Sequence, residues 1–145
     1  MSRKRSNRRP REARTPTLIA LAIVPELEIA ERLALQAFAE GRADTESFDV
    51  LADVRDMLTL AAGSVDGVGA ICELGYVALA NIKDRAGETG VLEATEDEMQ
   101  ALQALVDFAC DWWPRQAGTV YADAYNRLRD ARKNQARARA EREAA

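Results

Sequence analysis

The chain has 145 residues, 48% of them hydrophobic and 30% charged, with two cysteines, four prolines and no histidine. This length suits one domain with a proper core, and the missing histidine excludes catalytic and metal centres that depend on an imidazole. The formal charge of −4 conceals a segregation into a basic start, an acidic middle and a basic end.

Residues 1–14 carry Arg3, Lys4, Arg5, Arg8, Arg9, Arg11 and Arg14 against Glu12, a net +6, and this run with Pro10 and little apolar content predicts a disordered arm over 1–15. Residues 15–126 hold six bases against twenty acids, a net −14, and residues 127–145 hold seven bases against three acids, a net +4. The apolar run TLIALAIV (17–24), bracketed by Pro16 and Pro25, reads as extended or irregular chain packed across the body. It is too short for a membrane span and is followed directly by Glu26 and Glu28, so neither an export signal nor a twin-arginine signal is expected. A cytoplasmic protein follows from that reading.

A first helix is expected over 25–40, with Pro25 at its first position and Glu26 and Glu28 at the positive end of its dipole. Leu27, Ala30, Leu33, Ala34, Ala37 and Phe38 form its apolar face and Gly41 its stop. A second helix, 46–62, takes Thr45 as N-cap and Gly63 as its end. Its apolar stripes are Phe48-Leu51-Leu58 and Val50-Val54-Met57, and its narrow polar stripe is acidic: Glu46, Asp49, Asp53 and Asp56. The third helix, 66–86, is apolar around most of its circumference and reads as the central, most buried one. Its glycines Gly67, Gly69 and Gly75 suggest close approach of a neighbouring backbone.

The fourth helix, 96–113, starts at a capping box of Thr95 and Glu98 and turns Met99, Leu102, Leu105, Val106, Ala109 and Trp113 inward, before Pro114 ends it. A fifth helix, capped by Thr119, packs through Val120, Tyr121, Ala124, Tyr125 and Leu128. Beyond Leu128 nothing large remains to bury, so residues 129–145 are expected to project as a basic, Ala- and Arg-rich helix that frays. The fold class is therefore all-α: an antiparallel bundle of about five helices over 16–128, flanked by the arm and the extension.

No catalytic signature is found. The stripe Glu46-Asp49-Asp53-Asp56, spaced 3, 4 and 3, lies on one helix face, where carboxylates can bind a divalent cation or move protons. Without a histidine partner it reads better as a solvated face or a partner-binding surface, with contact to a basic tail, in cis or in a dimer, as an intermediate reading. GSVDGVG (63–69) lacks the preceding strand and the Gly-Lys-Ser/Thr close of a phosphate loop. Cys72 and Cys110 lie among apolar neighbours and read as reduced structural thiols, and Trp112-Trp113 as core or domain-edge packing rather than a base-stacking platform. No metal, cofactor or enzyme activity is expected.

Chemistry of contact is left to the ends. Arg3, Lys4, Arg5, Arg8, Arg9, Arg11 and Arg14 in the arm, with Arg132, Lys133, Arg137 and Arg139 in the extension, are candidate contacts to nucleic-acid phosphates. No recognition motif accompanies them, so binding without sequence preference is expected.

The basic start, the helix ending in Gly41-Arg42-Ala43, the segment FDVLADVRDML and then EMQALQALVDF followed by YADAYNRL resemble small helical proteins encoded by temperate phages and prophages of proteobacteria, over roughly residues 30–130. The resemblance implies an accessory role in a mobile element and carries over no functional residue. The expected function is a non-enzymatic accessory protein whose basic ends touch nucleic acid and whose body binds a protein, with a homodimer left open. The alternative is an inhibitor of a host defence or transcription complex, acting through the acidic stripe by charge mimicry.

Overall fold

The computed structural model describes residues 16–145, with side chains from Glu26 onward. It is an all-α bundle: α1 (Pro16–Ala39), α2 (Thr45–Ala62), α3 (Val68–Thr89), α4 (Glu96–Trp112) and α5 (Gly118–Ala144), with a 3-10 turn at Trp113–Arg115. No strand occurs among the described residues. The basic arm, 1–15, lies outside them.

α1 corrects the first expectation. The helix begins at Pro16 and runs through TLIALAIV, so that segment is helical rather than extended, and Glu26 and Glu28 lie inside the helix rather than at its positive end. Pro16 occupies the first helical position, where its missing N–H costs nothing. Pro25 removes one hydrogen bond, yet the Leu- and Ala-rich sequence on both sides propagates the helix across it. Its buried side is also rotated from the expected one: Glu31, Ala34, Leu35, Ala37 and Phe38 are buried, whereas Leu33 is 54% exposed.

α2 starts one residue earlier than expected. Asp44, not Thr45, is the N-cap: its carboxylate accepts from the Ser47 N–H at 2.9 Å, and the Ser47 hydroxyl faces the Asp44 N–H in return. An acceptor at that position satisfies an amide the helix leaves unpaired and suits the dipole. α4 begins as predicted, with Thr95 accepting from the Glu98 N–H at 3.2 Å and the Glu98 carboxylate accepting from the Thr95 N–H at 2.9 Å. α5 has Ala117 at its cap position with no side-chain cap bond, and Thr119 lies within the first turn instead.

The central helix is α2, not α3. α2 packs against each of the other four helices, while α3 packs chiefly on α2 and α4. Only one stripe of α3 is buried (Val68, Cys72, Gly75, Ala78, Leu79 and Ile82), and Leu74, Tyr76 and Val77 stand exposed. Its glycines serve different purposes. Gly67 precedes the helix at φ +81° and Gly90 follows it at φ +75°, both left-handed conformations that favour glycine. Gly75 instead faces a side chain, where an added Cβ would lie 3.0 Å from Leu105 Cδ2.

Leu51, Leu58, Ile82, Leu102, Leu105 and Val106 are the largest fully buried side chains, each contributing roughly 1.5–3 kcal/mol of burial. One half of the core gathers Phe38, Leu51, Ile82 and Leu102, the other Met57, Leu58, Leu105 and Trp113. Trp113 meets Tyr121 edge-on at 5.1 Å and Trp112 at 4.8 Å, so the tryptophan pair serves packing, which ties the 3-10 turn to α5. Cys72 is buried, Cys110 half-buried, and both are free thiols.

Candidate functional site

The two features that sequence placed on separate segments, the acidic stripe and the basic extension, meet in space. The 3-4-3 spacing puts Glu46, Asp49, Asp53 and Asp56 on one side of α2, and α5 passes along it. Arg132 donates to Asp53 and lies 3.8 Å from Asp56. Asp56 is also paired with Arg55 at 2.7 Å. The Asp53 bond, helped by the charges of Asp56 and Asp49, raises the Arg132 pKa above the ordinary arginine value. A turn and a half earlier, Arg127 donates to the Leu60 carbonyl at 3.2 Å, which satisfies an acceptor of α2 and fixes the same two helices together.

The stripe is therefore part neutralised. Glu46, in the first turn of α2, and Asp49 remain exposed without an ion pair among the described residues, whereas Asp53 and Asp56 are engaged. Arg55 is held from both sides, by Asp56 and by the Tyr76 ring, whose centroid is 4.4 Å from its guanidinium carbon.

Beyond Leu128, α5 continues as helix to Ala144 and every side chain from Arg129 onward is exposed. Arg129, Lys133 and Arg137 recur every fourth residue along one face and make no ion pair among the described residues. Arg139 lies 3.9 Å from Glu143, both well exposed. Of the candidate phosphate contacts, Lys133, Arg137 and Arg139 thus point to solvent on one rod, while Arg132 is turned onto the body. Arg3, Lys4, Arg5, Arg8, Arg9, Arg11 and Arg14 lie outside the described residues.

Two carboxylates escaped notice as interior groups because a charged residue is ordinarily assigned to solvent. Glu98 is buried and receives Arg85, whose hydrogen bonds hold its carboxyl below the usual range. Glu31 is 7% exposed and, among the described residues, accepts a single side-chain hydrogen bond, from the Cys110 thiol at 3.4 Å. Desolvation pushes it up to about 7, and burial, aided by the nearby Glu31, lifts the Cys110 thiol to about 12. The signal was present in the sequence: Glu31 sits four residues from both Leu27 and Leu35, on the face that turns inward.

Among the described residues no group of His, Cys, Asp or Glu is arranged to hold a metal ion, and no helix is long and apolar enough to cross a membrane. Comparison with protein-family models, with curated proteins and with solved structures finds no match.

Proposed function

We propose that this protein is a non-enzymatic accessory protein of a mobile element, whose basic C-terminal helix contacts nucleic-acid phosphates without reading sequence. The observation that carries the reading is the α5 extension: a solvent-exposed helix in which Arg129, Lys133 and Arg137 share one face with no carboxylate partner among the described residues. A preformed helix with its cations fixed at regular spacing lays them along a phosphate backbone at little ordering cost. The affinity comes from counterion release. The outer face of α3, where Leu74 and Val77 are exposed about one turn apart, favours a protein partner for the body.

Acidic mimicry of a nucleic acid draws less support, because Arg132 already lies against Asp53 and Asp56. Fluorescence anisotropy with two duplexes of unrelated sequence, repeated across salt concentrations, tests the proposal. Equal affinities that fall steeply with salt are expected, and removal of residues 133–145 should weaken them at least tenfold. Undiminished affinity of the shortened chain would overturn the role given to α5.

A further inference from the structure

Between α1, α2, α5 and the 3-10 turn lies a cavity of about 240 Å³, larger than the roughly 150 Å³ at which an apolar protein cavity takes up benzene. Its walls are mainly apolar and include the rings of Trp113, Tyr121 and Tyr125. Three charged side chains also line it: Glu31, Asp53 and Arg132. Their arrangement is unbalanced. Arg132 is committed to Asp53, and both are half-exposed. Among the described residues Glu31, 7% exposed, has no cation within pairing distance and a single hydrogen bond, from the Cys110 thiol to Oε2. Burying a carboxylate in this way costs stability unless something pairs with it.

The geometry points to a binding site for a small apolar amine, whose ammonium pairs with Glu31 and whose hydrocarbon or aromatic body lies among Trp113, Tyr121 and Tyr125. The charge count selects this class. An anionic ligand would meet the Glu31 carboxylate with the one nearby guanidinium already taken, and a neutral apolar ligand would leave that carboxylate unpaired. An ammonium satisfies the free Glu31 oxygen, and aromatic faces attract a cation while excluding water.

The site should respond to pH through Glu31. The groups that act on it are Glu28 and Arg32 on its own helix and Cys110 on α4, with Tyr121 on α5 also coupled to it and Asp53 of α2 across the cavity. With burial holding Glu31 at about 7, an amine that stays protonated throughout should bind roughly tenfold tighter at about pH 8 than at about pH 6.

The test uses the full chain and three probes of similar size: 2-phenylethylamine, its neutral counterpart 2-phenylethanol, and the anion 3-phenylpropionate. Binding is followed by calorimetry and by tryptophan fluorescence, to which both Trp112 and Trp113 contribute. The amine should bind with a dissociation constant of about 1 mM or below, at least tenfold tighter than either counterpart, and Glu31→Gln should erase that preference. If the amine and the alcohol bind the unaltered protein alike, if the amine shows no saturable binding to about 10 mM, or if a folded Glu31→Gln protein keeps the preference, the inference fails. The comparison of probes on the unaltered protein stands whether or not the variant folds.

Discussion

Arg132 of α5 reaches across to Asp53 of α2 and also lies 3.8 Å from Asp56, so the basic end of the chain is anchored on its acidic middle. Both members of the pair are half-exposed, which limits its worth. A double-mutant cycle with Arg132→Ala and Asp53→Ala should give a coupling of about 0.5 kcal/mol, and below about 1 kcal/mol, that shrinks in high salt. The same contact competes with any phosphate for Arg132. Asp53→Asn should therefore tighten duplex binding about two- to threefold and steepen the salt dependence by up to about one contact. Unchanged duplex affinity would show that Arg132 takes no part.

Glu31 gives the stability an unusual pH dependence. Its folded-state pKa is raised from 4.5 to about 7 by burial, so between those values the folded chain binds more protons than the unfolded one. Stability should fall as pH rises through that window, by roughly 2–4 kcal/mol, and level off above it. Glu98 and Asp107, held low by Arg85 and Arg32, work in the opposite sense: what they contribute is lost as pH falls below the ordinary carboxylate range. Urea melts of Glu31→Gln should show the slope between about pH 4.5 and 7 flattened and the variant more stable than the parent at about pH 8. A variant less stable at that pH would mean Glu31 is favourably paired.

Two of the three glycines within α3, Gly75 and Gly87, should answer substitution in opposite directions. A Cβ at Gly75 would lie 3.0 Å from Leu105 Cδ2 in the core, whereas one at Gly87 would meet nothing within 4 Å. Gly75→Val should cost about 1–3 kcal/mol through overpacking, and Gly87→Ala should add about 0.5–1 kcal/mol by stiffening the unfolded chain. Thermal denaturation of the two variants checks both signs.

Truncations separate the outer face of α3 from the buried face of α4. Leu102 is fully buried and Leu74 is 62% exposed. Leu102→Ala should destabilise by about 2–5 kcal/mol, while Leu74→Ala should stay within about 0.5 kcal/mol of the parent. A large loss at Leu74 would mean that this face is covered in solution.

Much of the bundle is readable in the chain itself. Thr95 and Glu98 announce the start of α4 because a capping box is a local arrangement, complete within four residues. The inward face of that helix follows from spacing alone, and Leu102, Leu105, Val106 and Ala109 are all buried. The exposed run after Leu128 is equally local: with no large apolar side chain left, nothing draws those residues against the body.

What local pattern could not supply is the angle at which each helix meets its neighbours. Leu33 and Leu35 are two residues apart on one helix, yet only packing decides that Leu35 is buried and Leu33 exposed. The same rotation carries Glu31 inside, against the usual preference of a carboxylate for water. α3 carries apolar residues around most of its circumference but packs chiefly on two neighbours, so centrality passes to α2. The sequence by itself determined α2 to α5 to within a few residues, the segregated charge and the lack of imidazole chemistry, since each depends only on residue type and short spacing. Only the tertiary structure decided that Arg132 faces Asp53 and that Glu31 faces a cavity, because those pairings depend on how segments far apart in the chain are rotated and brought together.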